Sequence, residues 1–177
     1  MKLMYSIPGK IWWIQNFLDY TTYKGIHNAV IKQRNKINLH STKGIWPNNL
    51  IDRISAPQRS QISDYKPFEM LKTLVKHNVC FQMKDVKDMS SIVHYMQKGA
   101  GINWHDDGSW KYGATYYLNN KWNKHWGGEF MFTDNVGHGW IPVVGNSLII
   151  VKAPIEHKVN PVLTTVMPRI SIQIFAK

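Results

Sequence analysis

The sequence contains a single cysteine, Cys80, among 177 residues. One cysteine cannot form an intramolecular disulfide or a cysteine-rich zinc module, and such a chain is typical of a reducing compartment. No apolar run approaches the roughly 18 residues of a transmembrane helix, and Pro8, Lys10 and Gln15 interrupt the N-terminal segment where a secretory signal would be apolar. We therefore expect a cytoplasmic protein without a membrane partner.

Acidic residues are also scarce, because 11 Asp and Glu stand against 22 Lys and Arg and give a net charge of +11. The excess lies mainly in residues 1–60, which hold nine basic and two acidic side chains. A basic region of this kind can contact nucleic acid or an acidic protein. The basic residues are scattered rather than clustered, which favours an ordinary solvated surface over a dedicated binding patch.

The composition is that of a globular protein, with 44% hydrophobic and 19% charged residues and no internal repeat. The length predicts one domain over residues 1–177. Within residues 1–78 the apolar spacing and the turn residues predict supporting elements. They are a strand over 11–18, a helix from Asp19 or Thr21 to about Lys36, a long loop over 37–63 and a helix over 65–77.

From residue 79 onward, short runs rich in β-branched and aromatic residues alternate with Gly, Asn, Asp and Pro. Successive short strands without helical segments between them predict a sandwich or barrel, of which the double-sheet jelly roll is one form. The predicted fold is therefore mainly β, with N-terminal helices flanking a body of about eight strands over 79–177. The runs are CFQMK, SSIVHYMQ, KYGATYYLN, GGEFMFTD, IPVVGNSLIIVKAP, HKVNPV and RISIQIFA.

One histidine stands out because a carboxylate follows it at the spacing of a metal site. In an extended segment residues two apart point the same way, so His105 and Asp107 could bind one ion, and Gly108 would let the chain turn beside it. His157, at the start of a later strand-like run, is the candidate third ligand. Two histidines and one carboxylate suit non-haem Fe(II), although zinc fits this spacing equally well.

The last predicted strand carries a polar face. Arg169 and Ser171 alternate there with Ile170, Ile172 and Ile174, so guanidinium and hydroxyl point to the same side. The fixed fork of an arginine suits the far end of a dicarboxylate better than a lysine does. This pattern favours an anionic ligand beside the metal over an exposed cation on an edge strand.

Six blocks of the sequence share their order with those of one enzyme family. The blocks are WHDDG at 104–108, ATYYLN at 114–119, GGE at 127–129, PVVGNSLI at 142–149, EHKVNPV at 156–162 and RIS at 169–171. In them the chain resembles the 2-oxoglutarate/Fe(II)-dependent dioxygenases, and most of all the prolyl 4-hydroxylase branch with its hypoxia-sensing enzymes. The resemblance implies a jelly roll, or double-stranded β-helix, that hydroxylates a proline of a protein or peptide with O2 and releases succinate and CO2.

The resemblance also assigns roles to individual residues. The implied Fe(II) ligands are His105, Asp107 and His157. The implied 2-oxoglutarate contacts are Arg169 at the far carboxylate, Tyr117 and Ser171 beside it, and Tyr95 near the cosubstrate or substrate. Ascorbate would serve as the reductant. Independently of the resemblance, the length of the segment 37–63, with its basic residues and prolines, makes it a candidate lid or substrate-binding edge.

Other functions stay open at this stage. An oxygenase acting on nucleic acid would use the charge of +11, but demethylases of the AlkB type carry a second arginine six residues after the first, where this chain has Phe175. A small metabolite such as a free amino acid is a further candidate substrate. A jelly-roll module without metal is disfavoured by the intact His105, Asp107, His157 and Arg169.

Two departures from the pattern of the prolyl hydroxylases weaken the choice of substrate. The gap from His157 to Arg169 is longer than in most of those enzymes, and several of them have lysine in place of Arg169.

Overall fold

The computed structural model describes residues 1–34, 40–43, 46–60, 66–76, 86–135 and 137–177. The helices are α1 (Tyr20–Arg34) and α2 (Lys66–Lys76), with a 3-10 turn at Asn48–Leu50. The strands are β1 (Lys2–Ile7), β2 (Ile11–Gln15), β3 (His40–Ser41), β4 (Gln58–Ser60), β5 (Met89–Met96), β6 (Ile102–His105), β7 (Tyr112–Tyr117), β8 (Phe130–Asp134), β9 (Gly137–Ile141), β10 (Ser147–Lys152), β11 (Glu156–Val159) and β12 (Arg169–Ala176). Neither α1 nor α2, the helices in the described part of the chain, is long and apolar enough to cross a bilayer.

The strands form two sheets whose strand orders are not sequential. The larger sheet has the order β1-β2-β10-β7-β12-β5-β4-β3, and the smaller one has the order β6-β11-β8-β9. Strands that are neighbours in these sheets run antiparallel. The prediction of a mainly β jelly roll with flanking N-terminal helices is confirmed.

The alternation of side chains along β12 separates the two sides of the larger sheet. Ile170, Ile172 and Ile174 belong to an apolar cluster that also includes Val30 of α1 and Leu71 of α2, so this face lies against the helices. Burying such aliphatic side chains stabilises the fold by about 1.5–3 kcal/mol each. The alternating residues Arg169, Ser171, Gln173 and Phe175 therefore face the space between the two sheets.

The N-terminal elements agree with the sequence prediction in kind and differ at their ends. Asp19 begins α1 as its N-cap, because its Oδ1 accepts a hydrogen bond of 2.9 Å from the Thr22 amide. The predicted strand over 11–18 ends early, at Gln15, since Asn16 adopts a positive φ of 48°. The side chain of Asn146 then holds the following segment by accepting from the Leu18 amide at 3.0 Å.

Several elements were not expected from the sequence. β1 forms a hairpin with β2, and β6 and β9 extend the smaller sheet. The segment 37–63 is not a plain loop in its described parts, since β4 joins the larger sheet by pairing with β5. The predicted run CFQMK lies outside the described residues.

Candidate active site

Two histidines and an aspartate meet between the sheets. His105 ends β6, and it is the register partner of His157 on the neighbouring β11. The Asp107 carboxylate lies between the two rings, with Oδ1 at 3.6 Å from His105 Nε2 and Oδ2 at 3.6 Å from His157 Nε2. One ligand atom from each residue lies within 4.8 Å of the other two, which is close enough for a single ion.

Backbone carbonyls orient both imidazoles. His105 Nδ1 lies 2.7 Å from the carbonyl oxygen of Asn103, and His157 Nδ1 lies 2.9 Å from that of Ile155. A carbonyl can only accept a hydrogen bond, so each Nδ1 carries the proton and each Nε2 offers its lone pair to a metal. Burial lowers the pKa of His157 and keeps that ring neutral, as metal binding requires.

The position of Asp107 depends on its backbone conformation. His105 and Asp107 converge as predicted, but the cause is a turn with a positive φ of 61° at Asp107 rather than the alternation of an extended strand. Asp106 is exposed, and its Oδ1 accepts a hydrogen bond from the amide of Gly108, which also has a positive φ. Two neutral imidazoles and a carboxylate, with a cavity beside them, are a donor set that fits non-haem Fe(II).

A buried arginine lies on the inner face of β12. Arg169 is 1% exposed, and in the described part of the chain its hydrogen-bond partners are all uncharged. They are the Gly128 carbonyl at 3.0 Å, Ser171 Oγ at 3.1 Å, Met96 Sδ at 3.4 Å and the Tyr117 hydroxyl at 3.0 Å. A buried cation whose hydrogen-bond partners are all neutral is costly unless an anion joins it, so this cluster fits the carboxylate of a ligand.

The Tyr117 hydroxyl has a proton that it can donate to a ligand. Its hydroxyl accepts a hydrogen bond from Arg169, whose guanidinium carbon lies 4.7 Å from the centre of the Tyr117 ring. Burial raises the pKa of Tyr117, so the hydroxyl keeps its proton near neutral pH. Tyr117 and Ser171 thus lie beside Arg169, as expected from the sequence.

The structure corrects the expectation for Tyr95. Its side chain is on the helix side of the larger sheet, where the hydroxyl donates to the Val30 carbonyl of α1 at 3.4 Å. Tyr95 therefore cannot contact a ligand between the sheets. The neighbouring residues His94 and Met96 occupy the inner face of β5 instead.

A cavity of about 250 Å³ borders the triad. Besides the three candidate ligands, its lining includes Thr115, Gln173, His94, Trp46, Leu50, Trp110 and Phe175. Gln173 could have been found from the sequence, because it continues the polar face of β12 after Ser171. Trp46 and Leu50 could not, because they come from a segment whose sequence shows no periodic pattern.

Comparisons with known proteins agree with this geometry. Residues 90–177 match the family described as the 2OG-Fe(II) oxygenase superfamily, and this range contains the triad and Arg169. No curated protein matches the chain by sequence.

Solved structures resemble the whole described chain. A prolyl hydroxylase from Trichoplax adhaerens, in complex with a hypoxia-inducible-factor oxygen-degradation-domain peptide, has a TM-score of 0.79 at 15% identity, over 96% of this chain and 84% of that one. A Pseudomonas putida prolyl-4-hydroxylase has a TM-score of 0.73 at 16% identity, over 95% and 92%. The non-haem α-ketoglutarate-dependent epimerase SnoN from nogalamycin biosynthesis has a TM-score of 0.70 at 9% identity, over 95% and 77%.

These likenesses establish the fold, and the family match covers the strands that carry the candidate ligands. Through residues 90–177 the chain therefore belongs to the 2OG-Fe(II) oxygenase superfamily, and it has the fold of the prolyl hydroxylases.

Proposed function

We propose that the protein is a 2-oxoglutarate-dependent Fe(II) hydroxylase that acts on a proline of a protein or peptide in the cytoplasm. The observation that carries this proposal is the buried Arg169, whose described hydrogen-bond partners are all uncharged. It lies on the inner face of β12, the strand whose Gln173 lines the cavity at the triad. An open metal site and a separate anion site together match a cosubstrate that chelates a metal at one end and carries a carboxylate at the other.

Each residue of the site would have its own role in the reaction. His105, Asp107 and His157 would hold Fe(II), which together with bound 2-oxoglutarate supplies the oxidative decarboxylation that makes O2 reactive towards the substrate. Arg169 would neutralise the far carboxylate, and the Tyr117 hydroxyl would donate a hydrogen bond to the same group. Ser171 holds the guanidinium through Nη1 and so fixes the direction of its remaining N–H groups.

The rim of the cavity supports a peptide substrate. Trp46, Leu50, Trp110 and Phe175 line the cavity with half-buried aromatic and aliphatic side chains. An apolar rim of this kind suits the aliphatic ring of a proline. The peptide in the Trichoplax complex supports the same class of substrate, and the segment 46–60, which contributes Trp46 and Leu50, would form the substrate-binding edge.

The test is the formation of succinate from 2-oxoglutarate by the protein with Fe(II), O2 and ascorbate, with and without a pool of proline-containing peptides. We expect peptide-dependent succinate and a peptide mass gain of one oxygen atom, located on proline by fragmentation. Asp107→Ala should abolish both signals, whereas the matched control Asp88→Ala, at an exposed position, should keep them. An absence of succinate from protein shown to contain iron would contradict the proposal.

A second candidate substrate is a small metabolite. SnoN, whose name describes an epimerase of nogalamycin biosynthesis, shares this fold, and a cavity of about 250 Å³ is large enough for part of a small molecule. Succinate that forms slowly and does not respond to the peptides would favour this alternative over prolyl hydroxylation.

A further inference from the structure

A further histidine lies in the cavity without a role in the chemistry described above. His94 is on the inner face of β5, and it is only 2% exposed. It lines the same cavity as the triad. Its Nε2 atom is buried and has no hydrogen-bond partner among the described residues.

A buried polar atom without a hydrogen-bond partner is unfavourable unless a ligand forms a hydrogen bond with it. Burial, with smaller contributions from the positive charges of Arg169 and Arg59, lowers the pKa of His94 to about 3. The ring is therefore neutral near pH 7 and has one N–H donor. A neutral donor can hydrogen-bond to a carboxylate oxygen without adding a second buried cation beside Arg169.

The strand register places His94 next to the anion site. Its cross-strand partner on β12 is Ser171, whose Oγ accepts a hydrogen bond from Arg169. Met96, the next inward-facing residue of β5, contacts the same guanidinium. His94 and Met96 thus flank Arg169, with Met96 on the guanidinium and His94 towards the cavity.

An aromatic contact restrains the imidazole. The Trp46 ring meets the His94 ring edge to face, with centroids 5.4 Å apart and planes at 73°. Trp46 comes from the segment 46–60, outside the range that matches the family. Nε2 is thus a ring nitrogen held in place without a hydrogen-bond partner among the described residues.

We propose that His94 donates a hydrogen bond from Nε2 to the far carboxylate of 2-oxoglutarate and so helps the site to select a dicarboxylate over a monocarboxylate 2-oxo acid. This inference rests on the proposed function, since it needs 2-oxoglutarate as the ligand. It makes His94 a specificity-determining residue, in addition to Arg169, Tyr117 and Ser171.

The test measures binding rather than turnover. The full chain is loaded with Mn(II) without oxygen, and calorimetry gives its affinity for 2-oxoglutarate and for 2-oxopentanoate, which has the same chain length and chelating end but a methyl group in place of the far carboxylate. His94→Phe keeps an aromatic ring against Trp46 and removes the donor. His94→Gln keeps an N–H close to the position of Nε2.

We expect His94→Phe to weaken 2-oxoglutarate binding about tenfold or more, the loss of a hydrogen bond to a charged group, and to leave 2-oxopentanoate binding unchanged. His94→Gln should restore most of the affinity for 2-oxoglutarate. Equal losses for both ligands, or an unchanged affinity for 2-oxoglutarate in His94→Phe, would overturn the role of His94. If the unaltered protein itself fails to bind 2-oxoglutarate, the proposed function fails instead, so the two failures are distinguishable.

Discussion

At the scale of single residues, the metal site depends on a glycine that contacts no metal. A Cβ added at Gly113 of β7 would lie 2.2 Å from Asp107 Oδ2, which is far inside contact distance. The strand backbone of Gly113 itself tolerates alanine, because its φ is not positive. Gly113 therefore leaves the space in which the Asp107 carboxylate can lie between the two histidines.

We predict that Gly113→Ala displaces the Asp107 carboxylate and lowers metal affinity by about 10–100-fold, as is typical when the support of a ligand is altered. Titration of the apoprotein with Mn(II) or Zn(II) measures the effect, with circular dichroism to verify the fold. Gly25→Ala is the matched control, because nothing lies within 4 Å of a Cβ at that helical position. Unchanged metal affinity in Gly113→Ala would show that the carboxylate adapts without loss.

The local sequence pattern located most of the candidate site. Motif spacing identified His105 and Asp107, and the alternation of β12 identified Arg169 and Ser171, because both patterns reside within a few consecutive residues. Tyr95 was misplaced because its orientation depends on the register between β5 and β12. A one-residue difference in register moves every side chain to the other face of the sheet.

At the scale of elements, one side chain attaches the segment 46–60 to the metal-binding strand. Asn103 of β6 donates from Nδ2 to the carbonyls of Asn49 and Asp52, at 3.0 and 3.1 Å. Its own carbonyl accepts from His105 Nδ1. The same residue thus orients a candidate ligand through its backbone and holds the proposed substrate-binding edge through its side chain.

Because the backbone carbonyl survives substitution, Asn103→Ala should separate these two contributions. We predict amide hydrogen exchange about fivefold faster in residues 46–60, from the loss of two partly exposed hydrogen bonds worth about 1 kcal/mol together. Metal affinity should stay unchanged. Hydrogen-exchange mass spectrometry measures the exchange in residues 46–60, and metal titration measures the affinity. Asn28→Ala, on the exposed face of α1, is the control. Exchange that is equally slow in both variants would contradict the anchoring role of Asn103.

The elements themselves were predictable where their patterns are local. The apolar spacing of α1 and α2 and the alternation along β12 are each contained within one segment. β4, with the sequence QRS, has no such pattern, and it is a strand only because β5 offers it an unpaired edge. Its assignment needs the tertiary partner, which no reading of a single segment supplies.

At the scale of the whole molecule, the site lies between two layers that each have their own apolar support. One cluster joins the helices to the outer face of the larger sheet, and a second one joins the inner faces of both sheets. The second cluster includes Phe130, which stacks on His157 at 5.2 Å, and Tyr117. His157 is therefore held by apolar packing between the sheets, with its neutral ring buried there.

Burying neutral histidines makes the stability of the whole fold depend on pH. The pKa of His94 is about 3 in the folded protein against an ordinary value of 6.5. Between these two values the unfolded chain binds a proton that the folded chain does not. Stability is therefore fully present above about pH 6.5 and is lost as the pH falls towards 3. The groups that act on His94 from its neighbouring strands are the positively charged Arg169 and Arg59.

We predict that urea unfolding at pH 7, 6, 5 and 4 shows the free energy of unfolding decreasing as the pH is lowered. The decrease should be steeper for the unaltered apoprotein than for His94→Gln. The expected difference in slope is about 1 kcal/mol for each pH unit below 6.5. Since the pKa of His157 is also lowered, and both proteins contain His157, its contribution cancels in the comparison. Parallel curves for the two proteins would mean that His94 gains a proton without unfolding, which requires water to reach Nε2 through the cavity.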